Sequence, residues 1–247
     1  MDVERNWARV KAHRGKLNNQ EIQGLASVLF LGQEDWLSRK LEQREDESLA
    51  IEFLAYLGQN GSEKATRILL RQLENREEML QVAAVEGLKL CPIEFVLEPL
   101  ASMMLRQNQN AIKAGEVLLH FGEIGVDVLW QLWFADGCSS SLRAQILRLL
   151  TEAADRRAEG LAFLAFLSED EELLREALVA AERLGARELW GNVADCLGNA
   201  SWKLRGRAAK LLGEWKVTEA LAYLRDMGMD PDPWVEDERL KAIGVLE

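Results

Sequence analysis

Proline is scarce, with four in 247 residues, and only three cysteines, two histidines and two tyrosines accompany them. So little proline leaves long helices uninterrupted. The abundance of Leu, Ala, Glu and Arg favours helix as well, because straight-chain side chains lose little rotamer freedom there. Long strands have no support in this composition. Cys91, Cys138 and Cys196 are odd in number and far apart, so they offer no disulfide framework. Cys91 and Cys196 sit in apolar text and read as small buried hydrophobes in a reducing compartment. No run of about 18 uncharged apolar residues occurs, and no apolar stretch follows the N-terminal charges. The expectation is a cytoplasmic protein with no membrane partner.

An excess of positive charge is also missing. The formal charge is −11, which argues against a nucleic-acid partner, because neutralising phosphates needs concentrated Lys and Arg. The exception is local. Arg5, Arg9, Lys11, Arg14 and Lys16 face only Asp2 and Glu4 at the N-terminus. A chain of this length buries a substantial core without disulfide or metal staples.

What the sequence does contain is repetition. Leu-Gly-like pairs stand at Leu31-Gly32, Leu57-Gly58, Phe121-Gly122, Leu184-Gly185, Leu212-Gly213 and Ile243-Gly244. Gly58 to Gly122 is 64 positions, Gly122 to Gly185 is 63, and the next two gaps are 28 and 31. One unit is therefore about 30 residues, with weakened copies at Leu90-Cys91-Pro92 and Ala153-Ala154-Asp155. Glycine reaches the left-handed conformation cheaply, so each marker is expected to be a corner between helices.

Helix-period apolar patterns flank the markers. Leu49, Phe53, Leu54 and Leu57 precede one, as do Leu174, Ala177, Leu178, Ala181 and Leu184. Second helices follow in Ala65, Ile68, Leu69 and Leu73, in Val96, Leu97, Leu100 and Met104, in Leu161, Leu164, Ala165 and Phe166, and in Leu221, Tyr223 and Leu224. A helix pair this small cannot bury its own stripe, so stability is expected from stacking on neighbours. Ser168 with Glu171 has the spacing of a capping box, and Ser62, Ser201 and Thr218 stand where other helices should begin. Asp230, Pro231, Asp232 and Pro233 break the last repeat, leaving 234–247 as a final short helix.

The stretch from Ser201 through Trp202, Leu204, Arg205, Ala208 and Ala209 to Leu212-Gly213 resembles the HEAT-like repeat named after phycobilisome lyases. A second copy begins at Asp230, and fainter ones at Leu142-Arg143 and Leu174-Arg175. The resemblance implies an α-α superhelix of the HEAT-like or ARM-type solenoid kind, with second helices lining a concave groove. Some members are bilin lyases; others are scaffolds or adaptors. HEAT-like deoxyhypusine hydroxylases carry paired His-Glu iron motifs, whereas His13 and His120 here are followed by Arg14 and Phe121. HEAT-like DNA glycosylases use a basic groove, which the charge of this chain opposes.

No glycine-rich phosphate loop, Ser/His/Asp arrangement or Cys-x-x-Cys is present, so the chain reads as non-catalytic and calls for no cofactor. Glu116, His120 and Glu123 share a helical face, but one imidazole among Leu118, Leu119 and Phe121 reads as a solvated face, not a metal site. Trp130 and Trp133 lie three apart on a second helix, and two readings are open. The rings fill the core, or they face the groove as anchors. Trp190 and Asn192 lie on another second helix, and Lys64, Arg67 and Arg71 form a basic stripe on an earlier one. Such a stripe reads as an ordinary solvated face or, combined with a groove, as a grip for an acidic peptide. Trp202 and Trp234 occupy equivalent repeat positions, which predicts a shared packing role and a cost of about 3–5 kcal/mol for Trp202→Ala.

The sequence thus predicts an all-α superhelix of about seven helix pairs, with a cap helix over 1–20 and one solenoid domain over 21–247. The expected function is a non-catalytic scaffold that binds a protein or peptide in its concave groove. The alternatives are a subunit of a bilin-lyase-like enzyme and, less well supported, a HEAT-like DNA glycosylase.

Overall fold

The computed structural model describes residues 61–106 and 111–247, with Arg5, Ala8, Ala12, Trp36, Leu54, Ala55, Leu57, Gly58 and Gln59. Every regular element among them is helical, so the fold is an all-α helical repeat. Of the expected cap helix at 1–20, Arg5, Ala8 and Ala12 are helical; the rest, like Gly32, Leu49 and Phe53, lies outside the described residues. The chain divides into two compact units, Met1–Leu129 and Trp130–Glu247.

The first unit holds α1 (Glu63–Gln72), α2 (Glu78–Leu88), α3 (Leu97–Leu105) and α4 (Ala111–His120). A further helix, α5 (Glu123–Trp133), runs across the division. Ser62 caps α1 as expected, its Oγ accepting from Ala65 N at 3.1 Å. α1 packs on α2, α3 on α4, and the first helices α2 and α4 touch directly. Their buried residues include Leu69, Leu88, Leu100 and Leu118, each contributing about 1.5–3 kcal/mol by leaving water.

The second unit continues with α6 (Ser140–Glu152), α7 (Arg157–Phe166), α8 (Glu171–Leu184), α9 (Trp190–Asp195), α10 (Trp202–Trp215), α11 (Leu221–Asp226) and α12 (Pro233–Leu246). First helices form one row, α6 on α8, α8 on α10 and α10 on α12. Second helices flank it, with α7 touching α8 and α9, and α11 touching α12. Each helix therefore buries its stripe against sequence neighbours, as stacking of incomplete pairs requires. Leu178, Ala181, Val193, Leu204, Ala208, Leu212 and Leu224 form the shared core. Leu164, part of the expected apolar stripe of α7, instead lies exposed.

The marker glycines divide into two physical roles. Gly122 and Gly185 take positive φ and turn the chain out of a helix, as expected. The weakened copy at 153 turns in the same way on Ala154, at φ 53°. Gly58, Gly213 and Gly244 are helical, which corrects their reading as corners. A Cβ on Gly213 would lie 2.9 Å from Ala242 Cα, so this glycine lets α10 approach α12 closely. The corner after α10 falls on Lys216, at φ 56°.

The start of α8 also differs from its expected capping box. Asp170 is the N-cap, accepting from Leu173 N at 2.9 Å, and Ser168 Oγ accepts from Asp170 N. Glu171 is thereby released from capping and accepts from Ser201 Oγ of the next first helix at 2.7 Å.

Candidate functional site

The predicted contact residues fall on second helices of both units. Lys64, Arg67 and Arg71 are all exposed along α1, with Arg67 pairing with Glu63 one turn earlier. In the second unit the two tryptophans at the end of α5 part company. Trp133 is 4% exposed, and its ring fills core space, while its carbonyl accepts from Arg143 Nε. Trp130 is partly exposed and meets Phe134 edge to face, with ring centroids 5.3 Å apart. Phe134 itself is 56% exposed. The residue that continues the aromatic surface is thus Phe134, one position past the end of the helix.

A second aromatic pair repeats the arrangement. Trp190, at the first position of α9, stands edge to face with Tyr223 of α11 at 6.1 Å. Tyr223 is exposed, whereas Trp190 and Asn192 are partly buried. Asn192 holds its own helix through its carbonyl, which accepts from Cys196 Sγ. Exposed Phe163, Leu164 and Leu167 lie on or just after the intervening α7. A hollow of about 350 Å³ opens among Phe134, Arg143, Leu164 and Leu167.

The first helices build a larger cleft that no single stretch of sequence announces. Trp202 opens α10 and Trp234 is the second residue of α12, and their rings meet edge to face at 5.7 Å with planes 84° apart. The backbone makes room for this, since a Cβ on Gly206 would lie 2.0 Å from Trp234 Cζ3. The two rings thus pack α10 against α12 as their equivalent placement predicts, but the residues remain 45% and 40% exposed, so they also form the walls of a cleft. Leu204 and Leu211 supply its floor, and its volume is about 680 Å³. Lys203 lies over the Trp202 ring at 5.7 Å. Arg207 of α10 reaches Glu182 of α8 through Nη2, while its buried Nε has no acceptor. Lys203, Arg207 and Lys210 follow an i, i+4, i+7 stripe, close to the spacing that identified Lys64, Arg67 and Arg71.

The nucleophile and ligand inventory is quiet. Cys91, Cys138 and Cys196 are all buried thiols. Burial pushes the Cys196 thiol up to about 11, with the Asp195 carboxylate adding to the shift, and burial raises Cys91 and Cys138 too. His120 stands edge to face with Phe121 at 5.6 Å. Among the described residues no three His, Cys, Asp or Glu side chains are grouped to hold a metal ion, and no helix is long and apolar enough to cross a membrane.

No protein-family model matches the sequence, and no curated protein matches it. Among solved structures the chain is similar to human deoxyhypusine hydroxylase in complex with glycerol, at 17% identity over 98% of this chain and 96% of that one, with a TM-score of 0.40. It is similar to an engineered protein at 18% identity over 87% of this chain and 96% of that one, with a TM-score of 0.38. It is also similar to a designed armadillo repeat protein in complex with the peptide (KR)4, at 15% identity over 86% and 98% of the two chains, with a TM-score of 0.31.

Proposed function

We propose that the protein is a non-catalytic scaffold that binds a protein or peptide partner through its second helices, in a reducing compartment such as the cytoplasm. The observation that carries this reading is the repeated edge-to-face aromatic pair, Trp130 with Phe134 and Trp190 with Tyr223. In each pair one ring is anchored and the other is left in water. Rigid aromatics of this kind lose little entropy on contact and serve as anchors at protein interfaces. Lys64, Arg67 and Arg71 are proposed as a separate contact for carboxylates of the partner. Trp133 is buried and not part of this surface, and Asn192 accepts from Cys196 Sγ through its carbonyl.

The test is affinity capture from the native cell extract by the wild type and by a Trp130→Ala/Phe134→Ala/Tyr223→Ser variant with an unchanged melting curve. A stoichiometric protein held by the wild type and released by the variant supports the reading. Identical captures by both, or none by either, refute it.

A further inference from the structure

The cleft on α8, α10 and α12 is separate from the second-helix surface and has its own chemistry. Its volume of about 680 Å³ is within the roughly 300–1,000 Å³ typical of small-molecule sites. Its walls are the perpendicular rings of Trp202 and Trp234, above Leu204 and Leu211. A flat apolar body can lie on one ring while meeting the edge of the other.

The charge around it is opposite to that of the chain. Arg175, Lys203, Arg207 and Lys210 line the cleft against only Glu182 and Glu214, in a protein of net charge −11. Three of the cations have carboxylate partners. Arg175 pairs with Glu176, Arg207 with Glu182, and Lys210 with Glu214 at 3.5 Å. Lys203 rests on the Trp202 ring, and Arg207 keeps an Nε without an acceptor. The cationic capacity of the site thus exceeds what its own carboxylates satisfy.

We propose that this cleft binds a small organic anion with a flat apolar body and a terminal carboxylate. The body sits in the Trp202–Trp234 corner, and the carboxylate accepts from Lys203 with Arg207 and Lys210 at hand. Lys203, which pairs with no carboxylate among the described residues, then gains an anion while keeping its contact with the Trp202 face.

Equilibrium dialysis with 2-naphthoate and its neutral isostere 2-naphthalenemethanol tests this. The expected result is saturable binding of 2-naphthoate with a Kd below about 1 mM. It should be at least about 5-fold tighter than the alcohol, with the difference shrinking in high salt. Lys203 and Lys210 are exposed, so Lys203→Gln/Lys210→Gln leaves the fold intact. That variant should weaken 2-naphthoate by about 5-fold or more without changing the alcohol. Trp202→Ala, checked by its melting curve, should weaken both compounds. Lack of saturation, equal affinity for acid and alcohol, or indifference to both variants overturns the proposal. So does a tryptophan-bearing acidic peptide that binds at this cleft where 2-naphthoate does not.

Discussion

Arg205 and Asp230, 25 positions apart, form a two-bond ion pair, Nε to Oδ2 at 2.7 Å and Nη2 to Oδ1 at 2.9 Å. Their side chains are only 14% and 3% exposed. The remaining guanidinium donor reaches Asn199 O and Ala200 O, while Asp230 Oδ1 also accepts from Asp232 N. Asp230 N in turn donates to Glu236, which is paired with Arg239, whose Nη1 donates to Leu224 O. One connected network thus ties the first turn of α10, the loop before α12 and Leu224 of α11 together.

Removing one member strands the other. Asp230→Asn should lower stability by about 3 kcal/mol, because a nearly buried guanidinium loses its counter-charge. Urea unfolding checks this, and Arg205→Leu/Asp230→Leu should cost less than Asp230→Asn alone.

The same network sets a pH dependence. The Arg205 guanidinium holds the Asp230 carboxyl below its usual range, and Arg239 with the Asp230 backbone N–H lowers Glu236 to about 2. Both folded-state values are depressed, so the stabilisation is fully present above the ordinary carboxylate range. It is lost as pH falls from that range towards about 2. Melting temperatures measured downwards from neutral pH should fall across this window, and Glu236→Gln should flatten part of the slope.

Gly206 is expected to refuse even one methyl group. Gly206→Ala gains about 1 kcal/mol of helix propensity but drives Trp234 from its position against Trp202. A net loss of about 1–2 kcal/mol is expected in thermal unfolding. Trp202→Ala should cost about 1–2 kcal/mol, less than the sequence implied, because nearly half the residue already meets water.

Lys216 takes the left-handed corner after α10 without being glycine. Lys216→Gly should raise stability by about 1 kcal/mol, since the conformational cost of a Cβ there is removed. Differential scanning calorimetry measures the shift.

The three cysteines should resist alkylation at pH 8 in the native state and react together on unfolding. Their thiols are buried and raised above the ordinary value, so little thiolate is present to attack. Mass spectrometry of iodoacetamide-treated protein reads the count.

The helix pairs were legible because the 3.6-residue spacing of Leu and Ala records burial directly, as at Leu174, Leu178 and Ala181. The glycines were legible only in part. Glycine serves both left-handed corners, as at Gly185, and close helix contact, as at Gly213, and the letter is the same for both. Ser168 and Asp170 are both competent caps two positions apart, and the difference lies in where the chain enters α8. The cleft was hidden because its walls come from helices 32 positions apart at Trp202 and Trp234. Their equivalence within the repeat was visible, but not that stacking leaves them facing each other across open space.

The row α6, α8, α10 and α12 also has a consequence for local opening. Each first helix rests on its neighbours in the row, α8 and α10 on two and α6 and α12 on one, so its amide protons exchange as fast as those contacts are given up. In α12 the contact with α10 is reinforced by the carboxylates of Asp230 and Glu236. Deuterium uptake along that helix therefore reports the ionisation of two side chains outside its hydrogen-bond ladder, a slow clock wound by acid.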